Sequence, residues 1–557
     1  MYHIERYQRN PVVHFPEREW PNREIEKAPI WCSVDLRDGN QALVEPMVVE
    51  EKTEMFNLLL KLGFKEIEIG FPAASQIEFD FLRLLALRKM IPSDVHVQVL
   101  TQCREHLIRR TFEAIEGIPN PIVHIYNSTN TLQRDVVFHA SREEIKQIAI
   151  DGVKTVKACM KEFGRDDIIL EYSPESFMGT ELDFALEVCE AVLDEWGMAT
   201  PEKKVIINLP LTVEMNTPNV YADQIEWMAR HFKNRDSIVV SIHPHNDRGT
   251  GVAATELALL AGADRVEGTL FGNGERTGNV DILTVAYNMY SQGIEPHLNI
   301  SNEKEIAEVY ERCTKMSIPP RHPYAGELVF TAFSGSHQDA INKGLQAMRE
   351  RNNPYWQVPY LPIDPSDIGR VYQPVVRINS QSGKGGVAFI MDTFYGFRLP
   401  KGMHKEFADI IQALSEKQGE IAPEEIYAEF QRAYPDRKEP VHFKKCVISD
   451  NGLEEGEFST RAVCTYTLNG EERQFEGVGN GPIDAVRHGL AEALGLQIRI
   501  LDYSEHALRQ GSNAQAASYI HMLDEKSGRT TYGVGISSNI TRASLRGIFS
   551  AVNRLFY

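Results

Sequence analysis

The sequence Ile238-Val239-Val240-Ser241-Ile242-His243-Pro244-His245-Asn246-Asp247 begins as an apolar run and ends in polar residues. The apolar part is typical of a buried β-strand. Because residues i and i+2 of a strand face the same side, we expect His243 and His245 to point the same way. Two imidazoles on one face can form half of a metal site. In isolation, however, this motif is better interpreted as two histidines in a polar loop.

Seven further apolar segments predict strands, and the longer amphipathic segments between them predict helices. Together with Ile238–Ile242, the predicted strands are Ile30–Arg37, Glu66–Phe71, His96–Thr101, Ile122–Tyr126, Ile168–Ser173, Lys204–Leu209 and Arg265–Leu270. Eight strand–helix units in series imply an α/β protein with a parallel sheet, and eight strands close a (β/α)8 TIM barrel. The alternative is a doubly wound open sheet, which usually has fewer strands and a GxGxxG motif that the first turn lacks.

Four segments are predicted along the chain. Residues 1–29 form an N-terminal extension, 30–303 the barrel, 304–436 small α-rich linker subdomains, and 437–557 an α+β domain. The boundary before the last segment is marked by a charged run that ends at Pro440. Beyond it, a pattern of strands closed by a helix occurs twice, which indicates a duplicated ligand-binding module.

The formal net charge of the 557-residue chain is −19, and 42% of its residues are hydrophobic. This acidic balance argues against DNA or RNA as the main partner. Residues 1–26 lack the apolar segment of a secretory signal, and no stretch is long enough to span a membrane. The seven cysteines are scattered without a CxxC pair, which is typical of reduced cytosolic thiols. We therefore expect a cytoplasmic protein whose partners are neither nucleic acids nor membranes.

The ends of the first and eighth predicted strands make a metal site more plausible. Asp38 follows the first strand, which a closed barrel places two positions from the seventh strand, around the eighth. The Gly-rich segment Gly272–Asn279 follows the eighth strand, and Asn279 can complete a ligand set with Asp38, His243 and His245. Two nitrogen and two oxygen ligands suit Zn²⁺, Mn²⁺ or, less well, Mg²⁺. The alternative role for Asp38 is that of a helix N-cap or turn residue.

Other polar side chains occur near the ends of the remaining strands. Glu175 and Thr212 follow the fifth and sixth strands, His124 lies on the fourth, and Arg37 precedes Asp38. A guanidinium beside a metal can stabilise an enolate or carboxylate. The alternatives are a helix cap for Glu175, a hydrogen-bonded core residue for His124 and an ion pair for Arg37. Gly383–Gly386 lacks the spacing of a phosphate-binding loop and is interpreted as a flexible loop that could contact a substrate.

These motifs resemble those of the α-isopropylmalate synthase family, and the resemblance extends over nearly the whole chain. The motifs Ser33–Gln41, His243–Asp247 and Gly272–Asn279 resemble signatures of this family, and the first and third are specific to the wider group of Claisen-condensing synthases and related lyases. Motifs that narrow the resemblance to the long bacterial synthases are Asn208–Met215, Phe333–Ala340, Asn379–Gly386 and Gly477–Pro482.

The resemblance implies a barrel that binds 2-oxoisovalerate through a divalent metal, Mg²⁺ first, and condenses it with acetyl-CoA. The products are 2-isopropylmalate and CoA, in the first committed step of leucine biosynthesis. The metal ligands that it implies are Asp38, His243, His245 and Asn279. The residues that it implies for substrate binding are Arg37, His124 and Thr212. The catalytic residues that it implies are Arg37, Glu175, His337 and Tyr372, of which the last two come from the partner subunit. The base that takes the methyl proton of acetyl-CoA is then Glu175 or His337.

The resemblance also implies that the C-terminal domain binds leucine, the pathway product, which inhibits a homodimeric enzyme. We expect leucine to bind near Gly479, Gly481 and Asp484, because a glycine-rich turn before a helix can offer backbone N–H groups to a carboxylate. Three rival functions remain at this point. They are homocitrate or citramalate synthase, an aldolase or lyase on the same barrel, and a metal- or amino-acid-binding regulator without catalysis.

Overall fold

The structure is a computed structural model that describes residues 6, 12–332, 335–372, 384–418, 421–435, 437–450, 460–508 and 514–556. Within these residues the chain forms fourteen strands and sixteen α-helices, besides short 3-10 and π-helical turns. It divides into two compact units, one from 1–330 and 344–371 and the other from 331–343 and 372–557. None of the described helices combines the length and the apolar character needed to cross a membrane.

Eight parallel strands of the first unit close into a barrel. They are β1 (Ile30–Ser33), β2 (Glu66–Gly70), β3 (His96–Gln102), β4 (Ile122–Ser128), β5 (Ile169–Glu175), β6 (Val205–Leu211), β7 (Ile238–Pro244) and β8 (Arg265–Gly268). Strand β8 pairs with both β1 and β7, so the sheet has no free edge. This confirms the predicted (β/α)8 barrel and excludes the open sheet.

Strand β1 is shorter than predicted, because the chain leaves the sheet after Ser33. The segment Asp35–Gly39 forms a π-helical turn instead of continuing as a strand. The carboxylate of Asp35 accepts hydrogen bonds from the Ser33 hydroxyl at 2.8 Å and the Leu270 backbone N–H at 3.0 Å. These bonds hold the turn against the end of β8. They also bring Arg37 and Asp38 onto the rim of the barrel.

Helices surround the barrel and follow its strands. They are α1 (Val49–Leu62), α2 (Gln76–Leu87), α3 (Glu105–Ala114), α4 (Thr131–Gln133), α5 (Arg142–Glu162), α6 (Leu182–Trp196), α7 (Pro218–His231), α8 (Gly251–Leu260), α9 (Ile282–Ser291) and α10 (Glu303–Thr314). Their ends follow local sequence signals. Helix α5 begins with a capping box between Ser141 and Glu144, and α1 is followed by Gly63 at a φ of 93°.

The chain after the barrel is helical before the last strands begin. The helices are α11 (Gly335–Arg351), α12 (Lys384–Tyr395), α13 (Lys401–Gln418) and α14 (Pro423–Ala433). The interpretation of Gly383–Gly386 as a loop was wrong for its last three residues, because Lys384 begins α12. Gly383 itself lies outside the described residues.

The C-terminal part contains two antiparallel sheets, each followed by a helix, as the repeated pattern predicted. The first consists of β9 (Val441–Asp450), β10 (Thr460–Leu468) and β11 (Glu471–Gly479), followed by α15 (Pro482–Leu494). The second consists of β12 (Ile498–Ala507), β13 (Ala516–Asp524) and β14 (Thr530–Ser537), followed by α16 (Ile540–Phe556). Both halves contribute to one apolar core, in which Tyr466 and Leu490 of the first half join Ile520 and Phe549 of the second.

Candidate metal centre and active site

The barrel brings the four predicted metal ligands together at the C-terminal ends of its strands. His243 Nε2 lies 3.2 Å from Asp38 Oδ2 and 2.9 Å from Asn279 Oδ1. His245 Nε2 lies 3.7 Å from Asp38 Oδ2. All four side chains are buried. The ligand atoms of Asp38, His243 and His245 therefore lie within 4.8 Å of one another, close enough to bind one ion. Asn279 adds a second oxygen ligand.

The electrostatics of this cluster fit a divalent cation. Burial opposes ionisation of Asp38, but Arg37 and His243 hold the pKa of this carboxyl well below its usual range. Burial also works against a charged His243, yet hydrogen bonds with Asp38 and Glu267 raise its pKa to about 9. The cluster thus attracts positive charge at the point where the ligand atoms meet. In addition, the buried Nδ1 of His245 has no hydrogen-bond partner among the described residues.

Glu267 of β8 holds His243 from behind. Its Oε2 lies 2.7 Å from His243 Nδ1, which leaves Nε2 directed at Asp38 and Asn279. Carboxylates in this position fix the orientation and tautomer of metal-binding histidines. The other oxygen of Glu267 accepts hydrogen bonds from Arg265 Nη1 and Gln98 Nε2, both at 2.8 Å.

The barrel interior beneath the site is a polar network that was not predicted from the sequence. Glu68, Gln98, Arg265 and Glu267 are fully buried there. Gln98 Nε2 donates to Glu68 Oε2 at 2.6 Å, and Gln98 Oε1 accepts from Arg265 Nη2 at 2.5 Å. A signal existed in β2 and β8, where charged residues alternate with apolar ones. Barrel strands are buried on both faces, so such charges must face partners inside.

A second group of side chains, Glu68, His124 and Glu267, also has the spacing of a metal site. Its centre is already occupied, because Gln98 Nε2 lies within hydrogen-bonding distance of Glu68 and Glu267 and 3.3 Å from His124 Nδ1. His124 Nε2 lies 2.7 Å from the hydroxyl of Ser173. The structure therefore gives His124 the contacts of a hydrogen-bonded core residue, which was the alternative interpretation. Its role in substrate binding stays a prediction.

Arg37 lies beside the metal-ligand cluster and contacts two carboxylates. Its Nη1 is 2.8 Å from Asp38 Oδ1, and its Nε donates to Glu68. Burial alone would disfavour the charged guanidinium, but Asp38 and Glu68 raise the pKa of Arg37 well above its ordinary value. Arg37 thus forms ion pairs, as its alternative interpretation expected, and its role beside a metal-bound substrate stays a prediction.

Glu175 and Thr212 lie at the ends of neighbouring strands on the same rim. The carboxylate of Glu175, the last residue of β5, accepts a hydrogen bond from the Ser128 hydroxyl. Thr212 follows β6, and its hydroxyl accepts the Ser176 backbone N–H at 3.0 Å. This hydrogen bond connects the turn that follows Glu175 to Thr212, so the two predicted residues lie in linked segments of the rim.

His337 and Tyr372 belong to the second unit. His337 is an exposed residue of α11, and Tyr372 is half-buried. The barrel geometry does not test their predicted catalytic roles, which stay predictions.

The three predicted leucine-binding positions lie at the start of α15. Gly479 ends β11, Gly481 precedes the helix as its N-cap, and Asp484 lies in its first turn. Asp484 Oδ2 already accepts the Asn480 backbone N–H at 3.2 Å, so the turn is partly satisfied from within the chain. Beside it lies a cavity of about 310 Å³. The cavity is lined by Ile483, Asp484, Arg487, Ile498, Arg499, Ile500 and Glu525.

Three families match successive parts of the chain. Residues 28–309 match the HMGL-like family. This range contains the barrel and all four predicted metal ligands. Residues 327–392 match the α-isopropylmalate synthase post-catalytic domain-like family. Residues 420–556 match the LeuA allosteric (dimerisation) domain, which includes both antiparallel sheets.

Full-length relatives agree with this order of domains. The 2-isopropylmalate synthase of Clostridium acetobutylicum is 53% identical over 99% of this chain and 99% of its own length. That of Brucella suis is 54% identical over 98% of both chains. That of Agrobacterium fabrum is 53% identical over 99% of this chain and 98% of its own. The chain belongs to the 2-isopropylmalate synthase family.

Proposed function

We propose that the protein condenses acetyl-CoA with 2-oxoisovalerate to form 2-isopropylmalate and CoA, the first committed step of leucine biosynthesis. The observation that carries this proposal is the convergence of Asp38, His243, His245 and Asn279 beside Arg37 on the barrel rim. Catalytic residues of TIM-barrel enzymes lie on this same rim.

Asp38, His243, His245 and Asn279 would hold the metal, which we propose to be Mg²⁺, with Mn²⁺ and Zn²⁺ as the alternatives. A divalent cation bound here would polarise the keto group of 2-oxoisovalerate. Glu267 keeps the His243 ring in place for this role, since it lies 2.7 Å from Nδ1. Two imidazole and two oxygen ligands also suit Mn²⁺ or Zn²⁺, and recovery of the chelated enzyme with each ion in turn identifies the metal.

Arg37 remains positively charged through the reaction, because two buried carboxylates raise its pKa. A fixed guanidinium next to the keto oxygen stabilises the alkoxide that forms when the enolate of acetyl-CoA attacks. Thr212 and His124 are proposed to contact the keto acid. Their strands, β6 and β4, both end on the side of the barrel that carries Asp38.

The base that removes a methyl proton from acetyl-CoA is proposed to be Glu175 or His337. The Ser128 hydroxyl fixes the Glu175 carboxylate at the end of β5, which favours a defined direction of proton transfer. His337 and Tyr372 are proposed to reach the site from the partner subunit of a homodimer. Hydrolysis of the thioester then releases CoA.

Leucine is proposed to inhibit the enzyme by binding near Gly479, Gly481 and Asp484. The adjacent cavity offers two carboxylates, two guanidinium groups and three isoleucine side chains. These groups complement the ammonium group, the carboxylate and the apolar side chain of leucine. Binding at this position would change the activity of the barrel through a coupling between two separate sites, and that coupling would be reciprocal.

We also propose that the protein acts in the cytoplasm. All seven of its cysteines are free thiols. This is the state that a reducing cytosol maintains.

The release of CoA thiol tests the proposed reaction. Acetyl-CoA is supplied with 2-oxoisovalerate, pyruvate or 2-oxoglutarate, before and after chelation of divalent metal. We expect the fastest release with 2-oxoisovalerate and none after chelation, with recovery when Mg²⁺ or Mn²⁺ is returned. Preference for pyruvate or 2-oxoglutarate would instead identify a citramalate or homocitrate synthase. No release with any keto acid would refute the proposed condensation.

A further inference from the structure

Two cysteines lie directly opposite each other in the first C-terminal sheet. In the register of β9 with β10, Cys446 is the partner of Cys464, between the pairs Val447–Val463 and Lys445–Thr465. Among the described residues, no other two cysteines are partners in a strand register. Both are free thiols.

The spacing of such a pair suits a disulfide. Residues opposite each other in antiparallel strands have Cα atoms ~4.5–5.5 Å apart and side chains on the same face. Disulfides span Cα separations of ~4.4–6.8 Å, with Cβ atoms ~3.8 Å apart. Closing a disulfide at Cys446 and Cys464 therefore requires the Cβ atoms to approach by about 1 Å, without a change of register.

We propose that Cys446 and Cys464 form a redox-modification site, which closes to a cross-strand disulfide by exchange with a small-molecule disulfide. This inference does not depend on the proposed reaction. Its consequence is a covalent link between β9 and β10. Strand β10 lies between β9 and β11, so the link would stiffen the sheet that leads to Gly479.

Cys446 is the entry point for the exchange. Its side chain is half-buried, whereas Cys464 is fully buried. A hydrogen bond with the Cys464 thiol lowers the pKa of Cys446, while burial opposes this shift. Exchange begins with a thiolate, so the more accessible and more acidic sulfur attacks first.

The exchange balances in two steps. The Cys446 thiolate forms a bond to one sulfur of the small-molecule disulfide, whose S–S bond breaks and releases one thiolate. The sulfur of Cys464 then attacks Cys446 and expels the second thiolate, which takes the proton of the Cys464 thiol. The two protein thiols are oxidised, and the small disulfide is reduced to two thiols.

The test uses the full chain in buffers of increasing oxidised to reduced glutathione, followed by alkylation of free thiols. Mass spectrometry of a non-reducing digest is expected to find a peptide pair joined through Cys446 and Cys464. This species should rise with the oxidised fraction and disappear after dithiothreitol. The variant Cys464→Ser should instead accumulate a glutathione adduct on Cys446. The control variant Cys189→Ser should form the same peptide pair as the wild type.

Two results would overturn the proposal. One is alkylation of both Cys446 and Cys464 at a glutathione ratio that oxidises the urea-unfolded chain. The other is a disulfide between copies of Cys446, seen as a covalent dimer on a non-reducing gel. Even if Cys464→Ser fails to fold, the wild-type digest alone shows whether the proposed disulfide or one of these two results is obtained.

Discussion

Replacing Glu267 with Gln is expected to weaken metal binding and to change its pH dependence. Glu267 Oε2 lies 2.7 Å from His243 Nδ1, so the substitution removes the charge that faces the ring while keeping the size of the side chain. Loss of such a carboxylate typically reduces metal affinity ~10–100-fold, which corresponds to ~1.4–2.7 kcal/mol. We expect the upper half of this range, because Glu267 also accepts hydrogen bonds from Arg265 and Gln98, which the substitution would disturb as well.

A second, opposite effect acts through the proton on His243. Burial lowers the pKa of His243, but hydrogen bonds with Asp38 and Glu267 raise it to about 9. A cation requires the neutral imidazole, so below that pH the wild-type affinity should fall by about tenfold per pH unit. In Glu267→Gln the pKa of His243 falls, because only Asp38 then raises it. The affinity of the variant should therefore start from a lower value and begin to fall only at a lower pH.

Isothermal titration calorimetry with Mn²⁺ between about pH 6 and pH 9 separates the two effects. At the upper limit only ring orientation differs, and the variant should bind more weakly than the wild type. At the lower pH limit the two affinities should approach each other, because the proton on His243 weakens metal binding more in the wild type than in the variant.

Glu171→Gln is the matched control for this experiment. Glu171 is also fully buried in the barrel, 3.5 Å from Arg265 and 3.6 Å from His124. It interacts with Glu267 as well, but it does not hold the His243 ring. Its metal affinity should follow that of the wild type. If the affinity and pH profile of Glu267→Gln also match the wild type, then Glu267 does not orient His243 and the reasoning fails.

Three further predictions address the metal, the barrel interior and the C-terminal domain. His243→Ala should abolish Mn²⁺ binding by calorimetry and reduce CoA release by orders of magnitude; near-normal turnover would contradict the ligand assignment. Burial raises the pKa of Glu171 in the folded protein above its value in the unfolded chain. As the pH rises, the unfolded chain loses this proton first, so the folded state becomes less stable relative to it. Glu171→Gln should therefore match or exceed the wild type in urea unfolding at pH 8, with a smaller difference at pH 5; a constant deficit would contradict a protonated Glu171. A Cβ at Gly479 would lie 2.5 Å from the Ala485 backbone nitrogen, whereas one at Gly481 has no neighbour within 4 Å. Gly479→Ala should lose inhibition by leucine in the CoA assay and keep its uninhibited rate, and Gly481→Ala should retain the fold; unchanged inhibition in both would exclude this turn as the leucine site.

The barrel was predictable because its signals are local. Most strands are short apolar runs, and several helices carry their own caps, such as the capping box at Ser141. The ends of β1 and β8 were less accurate. The hydrogen bond between Asp35 and the Leu270 N–H, which joins residues far apart in sequence, turns the chain out of β1.

The candidate site was predictable only in part. The proximity of Asp38, His243 and Asn279 was predictable, because the order of strands in a closed barrel places their ends together. Glu267 and Gln98 were missed, because their importance depends on which side chains meet inside the barrel. Only the closed sheet shows that Glu267 lies behind His243, and that Gln98 fills the space a second ion would need.

The sequence by itself determined the alternation of strands and helices, the repeated C-terminal pattern and the motifs that indicate the family. These depend on periodicity and on neighbours along the chain. The tertiary structure decided which side chains meet across strands. The distance from Glu267 to His243 and the pairing of Cys446 with Cys464 arise from strand register, which no local pattern encodes. The same is true of His243 and His245, because the closed barrel brings Asp38 and Asn279 next to them from the ends of other strands.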